Sequence, residues 1–114
     1  GSSMGGLISF YTWLSYPGVF GATGVFSPSF WICPQIKKEI HLDRRHRDGR
    51  VYLIAGDEES DRMIPDMRDV YQLLLEERMP GDHLVMRILQ GGKHSEAYWK
   101  KEFPMMYIWL FPGH

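Results

Sequence analysis

The sequence predicts an α/β architecture with about three parallel strands and helices on both faces. Three observations lead there. Residues 22–26 and 51–55 are short apolar runs without polar alternation, the pattern of strands buried on both faces. These runs alternate with helical segments, an order that calls for crossover connections and therefore parallel pairing. Proline or glycine breakers, Pro17-Gly18, Ser27-Pro28, Pro80-Gly81 and Gly91-Gly92, close the elements. Right-handed crossovers then distribute the helices over both faces of the sheet.

Each element follows in order. Residues 1–6, Gly-Ser-Ser-Met-Gly-Gly, form a glycine-rich turn. Residues 7–16 place Leu7, Phe10, Tyr11 and Leu14 on one face, a buried helix stopped by Pro17-Gly18. Residues 22–26 are the first strand. Residues 29–49 are less regular: Ile36 and Ile40 suggest one short helix, and 43–49 read as a charged loop. The second strand, 51–55, closes at Gly56 and an acidic loop. Residues 65–79 are an amphipathic helix with Met67, Val70, Tyr71 and Leu74 inward. Residues 83–89 alternate polar and apolar side chains, so this strand lies nearer the sheet edge. Residues 96–111 form a last helix, rich in aromatic and Met residues. Neither an internal repeat nor a low-complexity tract interrupts the series.

Bulk properties narrow the partners. A chain of 114 residues suffices for one modest core. The net charge is −1, which gives no basis for binding nucleic acid or an anionic membrane. Cys33 is the single cysteine, so no internal disulfide forms, and the compartment stays open. No apolar run approaches the length of a membrane span. Aromatic residues make up 14% of the chain, enough to line a pocket as well as fill a core.

The chemistry lies in Gly1-Ser2-Ser3-Met4-Gly5, which fits G-x-S-x-G, the nucleophile elbow of α/β-hydrolases. A sharp strand-to-helix turn lifts the serine oxygen clear of the sheet in a strained backbone. The flanking glycines avoid collision with the neighbouring strand and helix. The helix that starts here aims its positive end at the reacting carbonyl, and the Met4 N–H is the expected oxyanion donor. In this fold the triad runs serine, acid, histidine along the chain. Here Asp57-Glu58-Glu59 directly follows the second strand and His94 directly follows the third. Ser3 is thus the candidate nucleophile and His94 the candidate base.

The stretches GSSMGGLISFYTWLSYPGVFGATGVFSPSFW, VYLIAGDEES and GGKHSEAYWKKEFPMMYIWLF resemble the "putative-esterase" branch of the α/β-hydrolases, which includes esterase D-like enzymes, feruloyl esterases and siderophore esterases. The resemblance implies a serine esterase that cleaves small-molecule carboxylic esters through an acyl-enzyme and uses no cofactor. It also implies an acid three residues after the strand-ending glycine, which selects Glu59, with Asp57 and Glu58 as alternatives. It implies further that residues 1–114 form the C-terminal half of one α/β-hydrolase catalytic domain, elbow to last helix, without the N-terminal half that supplies the second oxyanion donor. On that reading the strand at 22–26 has an open apolar edge, met by the N-terminal half or by self-association into a homo-oligomer. A catalytically incomplete assembly fragment and a hydrolase of thioesters or peptides are the competing readings.

Other candidates rank below. His41, His46 and His83 lack partners at metal-ligand spacing. The basic stretch from Lys37 to Arg47 is diluted by Glu39 and Asp43 and reads as a solvated surface. Cys33 reads as a small hydrophobe. Trp31 and Trp99 lie just beyond a strand end and the histidine loop, where open α/β sheets bind ligands, so both are candidate pocket residues; Phe26 and Phe30 are candidates for pocket or core.

Overall fold

The computed structural model describes residues 1–112. Helix α1 (Met4–Ser15) leads to strand β1 (Ala22–Phe26). Two 3-10 turns, Phe30–Ile32 and Pro34–Glu39, and helix α2 (Arg44–Asp48) lead to β2 (Arg50–Gly56). Helix α3 (Met63–Glu76) crosses to β3 (Leu84–Leu89), and α4 (Glu96–Leu110) follows. The sheet order is β1-β2-β3, and both pairings are parallel. No helix among the described residues is long and apolar enough to cross a membrane.

Period-two alternation sorts the strand side chains between two cores. Val25, Val51, Leu53 and Ala55 join Phe10, Trp13, Met67, Val70 and Leu74 from α1 and α3. Phe26, Tyr52 and Ile54 point the other way and pack under Met106 and Leu110 of α4. Helices therefore cover both faces, as the sequence predicts. The register is what matters for the site. Phe26 pairs with Ile54, and Gly56 pairs with Leu89. All three strands run in one direction, so the loops after Phe26, Gly56 and Leu89 leave from one edge.

Several local expectations are corrected. The first helix begins at Met4 rather than Leu7, so the elbow and the helix are continuous. The expected charged loop at 43–49 contains α2. Asp43 caps it, its side chain accepting from the Arg45 and His46 amides, while the His46 ring accepts from the Asp43 amide. This is a capping box with histidine in place of the usual Glu or Gln. The Arg45 guanidinium beside Asp43, helped by those amides, holds its carboxyl at about 2. His46 is buried, and its Nε2 lies 2.7 Å from the Leu14 carbonyl. The region of Ile36 is a 3-10 turn. Helix α3 starts two residues before Pro65, which the first turn tolerates because its missing N–H has no acceptor there. Tyr71 of α3 is only partly buried.

The elbow packs tightly against β1. Ser2 forms a parallel bridge to Phe26, the Phe26 N–H donates to the Gly1 carbonyl at 2.9 Å, and the Ser3 N–H donates to the Phe26 carbonyl at 2.9 Å. A Cβ at Gly6 would meet that Phe26 oxygen at 2.9 Å and the Pro28 Cα at 3.4 Å, whereas a Cβ at Gly5 meets nothing within 4 Å. The steric requirement therefore falls on Gly6 rather than on the motif's last glycine. Gly6→Ala should destabilise the chain by about 1–3 kcal/mol, because backbone must shift. Gly5→Ala should be neutral or stabilising by up to about 1 kcal/mol, through helix propensity. Denaturant unfolding of the two variants checks this; equal effects would contradict it.

Candidate active site

Ser3 immediately precedes α1 and has φ 56°, ψ −122°, outside the regions open to ordinary L-residues. Three backbone bonds fix it. Its N–H donates to Phe26, and its carbonyl accepts from Leu7 at 3.1 Å and from Ser29 at 3.3 Å. The side chain thereby projects from the strand ends. Met4 is the first residue of α1, so its N–H has no acceptor within the helix and sits at the positive end of the helix dipole.

The acid and the histidine come from the other two strand ends. In the loop after β2, Asp57 donates its N–H to the Leu89 carbonyl and Glu58 donates its N–H to the Gly92 carbonyl. These bonds join the acidic loop to the loop after β3. The approach is so close that a Cβ at Gly56 would overlap the backbone of Gly92. The three acidic side chains separate. Asp57 is exposed and accepts from the Gly91 N–H at 2.8 Å. Glu58 is exposed. Glu59 turns inward, with its side chain 1% exposed.

His94 joins the two ends. Its Nε2 lies 3.0 Å from Ser3 Oγ, and its Nδ1 lies 2.5 Å from Glu59 Oε1. An ionised carboxylate only accepts, so Nδ1 carries the ring proton and the Nε2 lone pair faces the serine hydroxyl. The second Glu59 oxygen accepts from the Gly56 N–H at 2.6 Å and from the Ser27 hydroxyl at 2.7 Å. Ser3, Glu59 and His94 are thus in one hydrogen-bonded line, assembled from residues 91 positions apart.

Two further serines, which the sequence pattern does not mark, stand at this site. Ser29 is buried, and its Oγ lies 3.3 Å from that of Ser3. When Ser3 gives its single proton to His94, Ser29 is left to donate to Ser3. Ser27 bridges Glu59 to the Trp99 indole, whose Nε1–H donates to it at 2.8 Å. Their only sequence signal is a Ser-Pro-Ser placed directly after a buried strand. Trp99 packs edge to face on the His94 ring, centroids 4.9 Å apart, and also lines an open groove of about 610 Å³ with Gly1, Ser2, Phe26 and Phe103. Trp31 instead lines a separate cleft with Pro34, Lys37 and Arg62. Phe30 is core and Phe26 is buried under α4. Cys33 is partly buried against the core. His41 lies exposed near Glu77, and His83 bonds the Arg47 carbonyl.

The parallel sheet, with serine, carboxylate and imidazole brought together beyond the carboxyl ends of its strands, fits the α/β-hydrolase class of folds. The model of the "Putative esterase" family matches residues 1–110, and the chain belongs to that family. An uncharacterized protein of Bacillus subtilis (strain 168), YbbA, is 32% identical over 119 residues, covering 97% of this chain and 47% of the relative. The chain therefore spans about half the length of this curated relative. The enterobactin esterase FES of Shigella flexneri, solved in the presence of 2,3-dihydroxy-N-benzoyl-glycine, matches with TM-score 0.69 at 23% identity, over 88% of this chain and 27% of that one. A protein named FAE matches with TM-score 0.69 at 16% identity, over 98% of this chain and 44% of that one. At these identities the likeness to the solved structures is one of fold.

The geometry makes one spectroscopic demand. A ring proton shared with a buried carboxylate should give a low-field proton NMR line. That line should vanish in His94→Ala and Glu59→Ala and persist in Asp57→Asn and Glu58→Gln. Its loss in Asp57→Asn with survival in Glu59→Ala would reassign the carboxylate partner.

Proposed function

We propose that this chain carries the catalytic apparatus of a carboxylic-ester hydrolase that works through a Ser3 acyl-enzyme. The observation that carries the reading is the hydrogen-bonded line from Ser3 Oγ through His94 to Glu59. Membership of the esterase family supports it independently.

In this mechanism Ser3 Oγ attacks the ester carbonyl carbon while His94 Nε2 takes the hydroxyl proton. The carbonyl oxygen becomes an oxyanion and receives the Met4 N–H. Glu59 holds the Nδ1–H tautomer and balances the positive imidazolium. The tetrahedral adduct collapses, the alcohol leaves with the proton from His94, and the acyl group stays on Ser3. Water then gives a proton to His94 and attacks the acyl carbon. Collapse of the second adduct releases the acid and returns the proton to Ser3. The substrate class is a small-molecule ester. The open groove beside Trp99 is the proposed place for one side of it, and Trp31 is a candidate for more distant contacts.

A second reading concerns assembly, and the outer edge of β1 favours it. Gly1 and Ser2 pair with that edge from Gly24 to Phe26. Beyond them it borders the groove, whose α4 wall carries Phe103, Met106 and Tyr107. Edges of parallel sheets are normally covered. We propose that a further parallel strand covers this one, from the N-terminal half of the same fold or from a second copy of the chain. In that arrangement residues 1–114 are the elbow-to-last-helix part of one catalytic domain.

Two measurements test these readings. A fluorophosphonate probe should label Ser3, and labelling should be lost in Ser3→Ala and fall by roughly three to four orders of magnitude in Glu59→Gln at neutral pH. Undiminished labelling of Ser3→Ala would overturn the nucleophile assignment. Analytical ultracentrifugation of the purified chain should show self-association that a proline at the uncovered end of that edge, Ala22→Pro, weakens. A monomer at all concentrations, with full ester turnover, would contradict the assembly reading.

A further inference from the structure

The proposed mechanism gives Ser27 no part and Trp99 only a place in the groove wall, yet both are tied to its two working side chains. Ser27 is 1% exposed and adopts φ 47°, a left-handed conformation costing a non-glycine residue about 1 kcal/mol or more. Its N–H donates to the Ile54 carbonyl at 2.7 Å, which pins it across to β2. A serine hydroxyl has one proton to give and two lone pairs. Here the donor-only Trp99 indole lies 2.8 Å away and the Glu59 carboxylate 2.7 Å away, so the hydroxyl accepts from the first and donates to the second. Trp99 in turn packs on the His94 ring, and His94 bonds Glu59. The contacts close into a ring: Glu59, His94, Trp99, Ser27 and back to Glu59.

We infer that Ser27 is a positioning residue for the acid, and that through Trp99 the same hydroxyl fixes the plane of the imidazole. The inference rests on the Ser3–His94–Glu59 reading of the site. A carboxylate bonded only to His94 and the Gly56 amide can rotate about its terminal torsion, which is broad and roughly two-fold. A third donor on the Gly56-bonded oxygen fixes that torsion, and with it the direction in which the other oxygen meets Nδ1. The indole, anchored at its Nε1, becomes a fixed wall beside the ring rather than a mobile pocket lining. Ser27 touches neither the reacting carbonyl nor Ser3 in any described contact, so its influence passes through Glu59 and His94.

The test uses the full chain with Ser27→Ala, Ser27→Gly and Trp99→Phe. Ser27→Gly relieves the left-handed backbone while removing the hydroxyl, so a loss common to both Ser27 variants is not a folding effect. Thermal unfolding is recorded for each variant. The maximal rate of fluorophosphonate labelling at Ser3 should fall roughly tenfold to a hundredfold in both Ser27 variants. It should fall about threefold to tenfold in Trp99→Phe, which keeps an aromatic ring at the position and loses the donor. The reagent concentration for half-maximal rate should stay unchanged in both Ser27 variants, and the low-field His94 proton line should move in all three. Wild-type rates and an unmoved line in both Ser27 variants would overturn the inference while leaving the triad reading intact. Failure of the unaltered chain to label at Ser3 would overturn that reading itself, whatever the line does in the variants.

Discussion

Moving a carboxylate out of water costs several kcal/mol unless charge-assisted hydrogen bonds replace the lost hydration, and Glu59, with 1% of its side chain exposed, imposes that condition on three loops. Its donors are the Gly56 amide, the Ser27 hydroxyl and the His94 ring. They come from the last residue of β2 and from the loops after β1 and β3. They are within reach of one side chain because the parallel register ends all three strands at one edge. A slip of two residues in either pairing would move one donor by about 6–7 Å along the strand and leave the charge unpaired. The burial of Glu59 thus makes the arrangement of the loops and the register of the sheet depend on each other.

Backbone strain is concentrated at the same place. Among the described residues the non-glycine positions with positive φ are Ser3, Ser27 and Arg78, and two of these are in the site. Ser3 is held by bonds to Phe26, Leu7 and Ser29, and Ser27 by bonds to Ile54, Glu59 and Trp99. Each conformation costs of order 1–3 kcal/mol and persists only where its surroundings over-determine it. The close contact of Gly6 with the Phe26 carbonyl is part of that determination, since the same oxygen receives the Ser3 amide.

What the sequence reveals divides along physical lines. Strands β1 and β2 are legible because a strand buried on both faces has no choice but a continuous apolar run. The elbow is legible because its sterics require small residues at short spacing. Only the family resemblance distinguishes Glu59 from its two neighbours; local pattern does not say which way each side chain of an acidic turn points. Helix α2 is not legible because its capping box uses His46 in place of the usual Glu or Gln. Ser27 and Ser29 escaped because Ser-Pro-Ser reads as a turn, and their partners Glu59 and Ser3 lie 32 and 26 positions away. Trp99 was expected to face a pocket. It does border the groove, but its nitrogen is committed to Ser27 and its ring to His94, contacts that exist only once three loops are in place.

The central claim is that Ser3, His94 and Glu59 work as one unit rather than as three independent contributors. Groups that act as a unit have strongly non-additive losses. The direct measurement is a double-mutant cycle on the maximal rate of Ser3 phosphonylation, comparing Glu59→Gln, His94→Ala and the double variant. In the proposed mechanism Glu59 acts only through the imidazole, so the double variant should react no more slowly than His94→Ala alone, within about twofold. A double variant whose logarithmic loss equals the sum of the two single losses would show that Glu59 acts by some other route and would contradict the account.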